Sequence, residues 1–166
     1  MSWCDRRALL GALGAAGLAL AGCGFTPAYG PGGAAGALTG AVALSEPQDR
    51  AGYLLNRRIE ERIGRAPAGR YRLETAIETD TGDFGTTSTG STTRYRIASV
   101  VAFTLTDTAT GAEVLRDSVE SFTDYSATGS AVATLASERD ARERLMVILA
   151  DRIVDRLILS ATDLPG

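Results

Sequence analysis

The 166-residue chain contains no histidine and no lysine, and it has only two cysteines. Histidine is the commonest general base and a common metal ligand, so its absence removes the usual means of acid–base catalysis and of metal binding. The chain also lacks a Gly-x-Ser-x-Gly nucleophile motif and an acidic cluster with metal-ligand spacing. We therefore expect no catalytic residue, no metal ion and no other cofactor.

The two cysteines are not expected to form a disulfide. Cys4 lies in a segment that we expect to be removed, and Cys23 would then be the first residue.

The net charge of the remaining chain is negative. The full chain has 20 acidic and 17 basic residues, and removing residues 1–22 takes away one acidic and two basic residues, which leaves a net charge of −4. A nucleic-acid-binding protein needs surplus positive charge to displace counterions, so nucleic acid is not an expected partner.

Residues 1–22 have the features of a bacterial signal peptide. An arginine pair precedes an uncharged stretch of 14 residues, 8–21, that is rich in Leu, Ala and Gly. This stretch is shorter than the about 20 apolar residues that a membrane-spanning helix needs. It ends at Leu20-Ala21-Gly22-Cys23, which resembles the lipobox of bacterial lipoproteins. We expect cleavage before Cys23 and lipidation of its thiol, which would give an N-terminal membrane anchor.

The residue after the cysteine helps to predict which membrane holds this anchor. Gly24 stands where many Gram-negative lipoproteins carry Asp as an inner-membrane retention signal. We therefore expect the anchor on the periplasmic side of the outer membrane.

Residues 23–40 are rich in Gly, Pro and Ala and are interpreted as a flexible tether. Their glycines do not fit a dinucleotide-binding fingerprint, because Ala35 occupies the position of the third glycine.

Residues 41–161 have the hydrophobic patterns of a single α+β domain, and residues 162–166 form a C-terminal tail. Alternating apolar residues predict strands, and apolar residues three or four positions apart predict helices. Ser45 and Ser137 are the predicted helix N-caps. The predicted elements are strands at 41–45, 70–79, 94–107 and 112–122, helices at 46–65 and 138–160, and polar loops at 80–93 and 124–134.

The order of these elements, β-α-β-β-β-α, predicts how they pack. Helices and strands do not alternate regularly, so we expect two helices packed on one face of a four-stranded, mostly antiparallel sheet. The last helix would face the sheet with an apolar stripe that contains Ala141, Leu145, Ile148, Leu149, Ile153 and Leu157. The opposite sheet face carries Arg, Glu and Thr and should be open to solvent or to a partner.

Four arginines are the candidate ligand-binding residues: Arg70, Arg72, Arg94 and Arg96. Strand periodicity places the first two, and likewise the last two, on the polar side of neighbouring strands. Their guanidinium groups could bind phosphate or carboxylate groups of a ligand. The alternative is that they pair with Glu74 and Glu78 on a solvated face. Because the last two lie on the polar face, reversing their charge is expected not to affect folding.

Three segments carry a family resemblance: residues 23–30 (CGFTPAYG), residues 93–114 (TRYRIASVVAFTLTDTATGAEV) and residues 136–157 (ASERDARERLMVILADRIVDRL). They are similar to the LptE family of lipopolysaccharide-assembly lipoproteins in its alphaproteobacterial form. The resemblance implies an outer-membrane lipoprotein that sits inside the LptD β-barrel as plug and assembly partner and contacts lipopolysaccharide. It also implies lipopolysaccharide contacts near the connection between the second and third strands, where Arg94 matches most nearly and Arg96 less so.

Two other classes of function stay open from the sequence. One is a periplasm-facing accessory lipoprotein of an ABC-type lipid transport system, which would also be small and non-catalytic. The other is a lipoprotein enzyme without a recognisable motif. Co-purification with a large β-barrel would support the LptE role, and co-purification with an inner-membrane transporter would support the first alternative.

Overall fold

The computed structural model describes residues 33–86, 92–127, 129–161 and 164. In chain order their elements are α1 (Ala34–Leu38), β1 (Val42–Leu44), α2 (Arg50–Ile63), β2 (Tyr71–Thr86), β3 (Thr92–Asp107), β4 (Glu113–Ser126) and α3 (Ala131–Ser160). The predicted α+β class is confirmed. The predicted signal peptide, the lipidation site Cys23 and the first part of the predicted tether lie outside the described residues.

The four strands form one mixed sheet in the order β1-β2-β3-β4. β2, β3 and β4 pair antiparallel as a long meander, which agrees with the mostly antiparallel sheet predicted. β1 is parallel to β2 and pairs with it only from Val42 opposite Tyr71 to Leu44 opposite Leu73. A parallel pair needs a crossover connection, and α2 supplies it.

A third helix, α1, occupies part of the segment that the sequence assigns to the flexible tether. The element order is therefore α-β-α-β-β-β-α, which corrects both the predicted order and the predicted count of two helices. Ala35 and Leu38 of α1 are buried in the hydrophobic core, and α1 contacts α3. Five residues are too few to show a helical period, so burial against the rest of the domain stabilises this helix.

The three antiparallel strands are longer than the hydrophobic alternation predicts. β2 continues to Thr86 and β3 begins at Thr92, so most of the predicted 80–93 loop is a paired hairpin. β4 continues to Ser126, beyond its predicted end at residue 122. Threonine favours strands as apolar β-branched residues do, and pairing with the neighbouring strand provides hydrogen-bond partners for its backbone N–H and C=O groups. Apolar alternation alone therefore underestimates the length of these strands.

Both long helices begin at a different capping residue from the predicted one. Asp49 caps α2, because its Oδ1 accepts a hydrogen bond at 2.8 Å from the backbone N–H three residues later. Ser45, the predicted cap, instead donates its backbone N–H to the carbonyl oxygen of Leu73 in β2. Ser130 caps α3 in the same way as Asp49 caps α2, and Ser137 lies inside the helix. For α2, the hydrogen bond of Ser45 to the sheet thus moves the cap to Asp49.

The hydrophobic core lies between one face of the sheet and the two long helices. Its largest fully buried members include Leu55, Ile59, Leu73, Ile97, Phe103, Leu105, Leu145, Leu149, Ile153 and Leu157. The predicted stripe of α3 is buried except at Ile148, which is 37% exposed. With both long helices on one face, the other face of the sheet is uncovered by the described residues.

Candidate functional site on the open sheet face

The open face of the sheet carries the even-numbered side chains of β2 and the residues paired with them. Its rows across β2, β3 and β4 include Glu78–Val100–Glu120, Asp80–Ala98–Phe122 and Gly82–Arg96–Asp124. Val100, Phe122 and Phe84 are each between two-fifths and three-fifths exposed. A solvated sheet face usually carries polar side chains, so exposed apolar residues among charges mark this face as a candidate binding surface.

The four candidate arginines lie at two opposite ends of the sheet. Arg70 and Arg72 are at the beginning of β2, where Arg72 is paired with Thr106. Arg94 and Arg96 are at the beginning of β3, where Arg96 is paired with Gly82. Because the two strands are antiparallel, about ten residues of strand, or roughly 33 Å, separate the two pairs. The structure therefore does not bring the four arginines into one site.

Arg70 takes part in a structural contact at the end of the sheet. Its Nε and Nη2 each lie 3.4 Å from Oδ2 of Asp107, whose side chain is almost fully buried. The other carboxylate oxygen of Asp107 accepts backbone hydrogen bonds from Ala109 at 2.8 Å and from Thr110 at 3.3 Å. These backbone hydrogen bonds, together with Arg70, hold the pKa of Asp107 below its ordinary value against the effect of burial. Arg70 thus stabilises the β3–β4 turn.

Arg96 is held on three sides at the other end of the sheet. Its guanidinium carbon lies 3.8 Å from the ring centroid of Phe84 and 4.3 Å from that of Phe122. Its Nε and Nη2 donate to the two carboxylate oxygens of Asp124, at 2.8 and 3.2 Å. The hydrogen bond from Arg96 lowers the pKa of Asp124, and the same bond raises the pKa of Arg96. We name these four residues the Arg96 cluster.

The Arg96 cluster contradicts the expectations that Arg96 pairs with Glu74 or Glu78 and that reversing its charge leaves folding unaffected. A cation between two aromatic rings gains cation–π attraction, and the bidentate carboxylate fixes its orientation. Its partner is Asp124 of β4, whereas Glu74 and Glu78 form no ion pair in the described part of the chain. Arg96 is therefore a packed element of this face, and reversing its charge would disturb the cluster.

Arg94 differs from Arg96 because no carboxylate of the described residues lies within ion-pair distance of it. Its aliphatic carbons pass over Gly85, where an added Cβ would lie 3.4 Å from the Cβ of Arg94. Its charge also contributes to the low pKa of Asp124. Arg94 thus presents an exposed guanidinium beside the Arg96 cluster. Arg72, at the opposite end, is likewise exposed and without an ion pair among the described residues.

Comparison with known families decides the affiliation of the chain. The model of the LptE family, described as lipopolysaccharide-assembly, matches residues 39–157. The matched span is more than half of the chain and includes β1, α2, the antiparallel strands and most of α3. The chain belongs to the LptE family. The resemblance seen in residues 93–114 and 136–157 is thereby confirmed.

Solved structures of bacterial lipoproteins have the fold of this LptE-family chain. A lipoprotein from Caulobacter crescentus CB15 aligns with a TM-score of 0.63 at 18% identity, covering 78% of this chain and 95% of that one. Rare lipoprotein B from Shewanella oneidensis aligns with a TM-score of 0.57 at 17% identity, covering 74% and 96%. A minor lipoprotein from Acinetobacter baumannii aligns with a TM-score of 0.55 at 13% identity, covering 72% and 89%. None of the curated proteins compared matches the chain significantly.

Three residues of the Arg96 cluster, Phe84, Phe122 and Asp124, are not among the site residues that the sequence predicts. The sequence could have indicated Phe84 as a site residue, since it is the single apolar residue in the polar stretch 80–93. Phe122 also stands out, because it occupies an outward position of β4 and is 55% exposed. Their meeting with Arg96 depends on the register of three strands, which no local pattern specifies.

Three further features of the described residues concern ligand, metal and membrane binding. A shallow depression of about 790 Å³ lies over the middle of the sheet and is lined by Glu78, Val100 and Phe122, among others. The described residues contain no group of three or more Cys, Asp or Glu that could hold a metal ion. Among the helices of the described ranges, none is long and apolar enough to cross a membrane.

Proposed function

We propose that this LptE-family protein is an outer-membrane lipoprotein that serves as plug and assembly partner of an LptD-type β-barrel in lipopolysaccharide transport to the cell surface. The observation that carries the proposal is the family match over residues 39–157. The open sheet face supports it, because neighbouring exposed apolar side chains such as Phe84 and Phe122 mark a surface for interaction. The role is one of binding and assembly and includes no catalytic step.

The proposal includes a lipid anchor at Cys23. Leu20-Ala21-Gly22-Cys23 supports it, and so does the lipoprotein character of the structural relatives. Residues 23–32 would then link the anchor to a domain that begins with α1. Intact-mass analysis of the membrane-extracted protein should show loss of residues 1–22 and added acyl mass, and Cys23→Ser should stay uncleaved. An unmodified Cys23 in the wild type would contradict the anchor.

We also propose that Arg94 contacts anionic groups of lipopolysaccharide. Its guanidinium makes no ion pair with described residues, and the exposed rings of Phe84 and Phe122 contact Arg96, two residues further along the same face of β3. An amphiphilic ligand has both anionic and apolar parts, and this end of the sheet offers a match for each. Arg70 is engaged by Asp107, and Arg72 lies roughly 33 Å away, so neither is assigned to this contact.

Affinity purification from outer membranes tests the proposed function. The tagged protein should recover an LptD-type barrel, and an unrelated outer-membrane lipoprotein with the same tag should not. Depletion of the protein should lower the amount of correctly assembled barrel and make cells sensitive to large apolar antibiotics. Recovery of an inner-membrane ABC transporter in place of the barrel would contradict the proposal and support the accessory role in lipid transport.

A further inference from the structure

The outer edge of β2 is uncovered along most of its length. β1 pairs with β2 only as far as Leu73, whose carbonyl oxygen accepts the last hydrogen bond of this edge, from Ser45 N at 3.0 Å. From Thr75 to Thr81, no described residue forms a backbone hydrogen bond with this edge. Beyond Leu73, β2 therefore has a partner strand, β3, on one side only.

Backbone alternation identifies the groups that are free. Tyr71 N donates to Ala41 O in the direction of β1, whereas Arg70 O accepts from Thr108 N in the direction of β3. Odd-numbered residues of β2 thus point their N–H and C=O groups outward, and even-numbered residues pair with β3. The outward groups without a partner in the described structure belong to Thr75, Ile77, Thr79 and Thr81. Such a row is a template for a further strand.

The opposite edge of the sheet, at β4, is contacted by α3 near its middle. Arg152 of α3 donates from its guanidinium to the backbone carbonyl oxygen of Glu120. Arg156 of the same helix lies with its Nε 3.5 Å from Oδ2 of Asp117. Arginines that reach over an edge strand block its pairing with another chain. The β4 edge is therefore contacted by two arginines of α3 in its middle, whereas no described residue forms a backbone hydrogen bond with the β2 edge from Thr75 to Thr81.

The charges of β2 indicate which strand fits its edge. Between Leu73 and Thr86 the strand contains four carboxylates and no basic residue: Glu74, Glu78, Asp80 and Asp83. The first three lie exposed on the open face and have no ion pair among the described residues. Like charges opposite each other destabilise a strand pair, and opposite charges stabilise it. A basic strand is therefore the complementary partner.

Two other occupants fit this edge poorly. A second copy of β2 would place carboxylates against carboxylates. The segment 24–32 of this chain has no basic residue, and its Pro27 and Pro31 have no N–H to donate to a strand ladder.

We propose that the outer edge of β2, from Thr75 to Thr81, binds an extended basic segment of a partner protein as a fifth strand of the sheet. Lys or Arg at every second position of the segment would lie beside the carboxylates of the open face. Apolar residues between them would cover Ile77 and the adjoining depression beside Pro47 and Gly52. The edge is separate from Arg94, so this inference goes beyond the proposed function and is independent of lipopolysaccharide binding.

A synthetic peptide in which Lys alternates with Val is the probe for this edge. Fluorescence anisotropy with the detergent-purified protein should show binding of this peptide and no binding of the same peptide with Glu in place of Lys. N-methylation of the backbone groups that face β2 should abolish binding, because it removes the ladder donors. On binding, hydrogen exchange should slow at the amides of Thr75, Ile77, Thr79 and Thr81.

Two variants and a matched control test the assignment. Thr81→Pro removes an outward N–H without removing a hydrogen bond to β3, and Glu78→Lys reverses a charge at the edge. Each should weaken peptide binding about tenfold. Glu120→Lys makes the same charge change in the same row of the same face, but on β4, and should alter binding less than about twofold. Circular dichroism should show the same fold in all three variants.

Wild-type affinity in Glu78→Lys, or an effect of Glu120→Lys as large as that of Glu78→Lys, would overturn the proposal. So would a dimer without peptide whose Thr75–Thr81 amides are protected, because a second copy would then occupy the edge. None of these three results would change recovery of the barrel from outer membranes, so this proposal and the proposed function fail separately.

Discussion

Arg96 and Asp124 lie directly opposite each other on β3 and β4 and share two parallel hydrogen bonds. Phe84 reaches the same guanidinium from β2, where a register irregularity between Asp83 and Gly85 leaves this residue out of the regular pairing. Side chains from three strands thus meet at one end of the open face. The cluster orders the surface beside Arg94, whose guanidinium it leaves exposed.

Charge reversal should separate the roles of the two neighbouring arginines. Arg96→Glu places a carboxylate beside Asp124 and between two rings, so it should lower the melting temperature by several degrees. Arg94→Glu makes the same change at an exposed position and should leave the melting temperature nearly unchanged. Thermal denaturation followed by circular dichroism measures both. Equal melting temperatures would mean that the Arg96 cluster contributes nothing to stability.

Arg94 and Arg72 form a matched pair for testing lipopolysaccharide binding. Both are exposed on the sheet and both lack an ion pair among the described residues, but they lie at opposite ends. Arg94→Glu should weaken binding at low ionic strength, and the deficit should shrink at high salt, where exposed charges are screened. Arg72→Glu gives the same net charge and should bind like the wild type. An equal loss in both variants would indicate a general charge effect.

Asp151 joins the two long helices and makes the stability of the domain depend on pH. It accepts hydrogen bonds from Arg58 Nε at 2.9 Å, from Arg58 Nη2 at 3.2 Å and from Arg62 Nη1 at 2.7 Å. Burial raises the pKa of Asp151, but the hydrogen bonds from the two arginines outweigh it and hold this pKa below its ordinary value. Its stabilising effect is therefore complete above the unfolded pKa of about 3.9 and is lost as the pH falls through the lower folded pKa.

Asp151→Asn should lower the free energy of unfolding by about 1 kcal/mol at neutral pH, and its difference from the wild type should disappear in acid. Urea denaturation between about pH 7 and pH 2 measures the effect. Asp155→Asn is the control, because this carboxylate is 64% exposed and its one ion pair among the described residues is with Arg62, at 3.3 Å. A difference between Asp151→Asn and wild type that stays constant down to the lowest pH would contradict the assigned pKa shift.

Gly69 is required by the close approach of the chain to β1. A Cβ at this position would lie 2.5 Å from Ala41 O and 2.7 Å from Ala43 N, and these backbone atoms have little freedom to move. Gly69→Ala should therefore cost about 1–3 kcal/mol and speed hydrogen exchange in β1. Gly82→Ala, at a position with no atom within 4 Å of the added Cβ, is the control and should cost less. Equal stability of the two variants would show that β1 can shift without penalty.

The sequence alone was sufficient to predict features that depend on the spacing of residues within one helix or strand. The stripe of α3 could be predicted because Leu145, Leu149 and Ile153 recur at helical spacing, and all three are fully buried. The end of α2 lies within two residues of the predicted residue 65, because Gly64 caps the helix with a φ of 80°, a conformation that glycine readily adopts. Family membership was also visible, since residues 93–114 and 136–157 lie within the matched span.

Only the tertiary structure decided which distant residues meet. A strand pattern places Arg96 on the polar face, but the register with β2 and β4 brings Phe84 and Asp124 to it, and a slip of one residue would turn these side chains away. Contact with distant residues also explains why α1 is helical, because burial of Leu38 in the core stabilises this short helix. Strand pairing also leaves the edge of β2 open, because β1 pairs only as far as Leu73. Local periodicity determines which face a side chain takes, whereas long-range pairing determines what that face contacts.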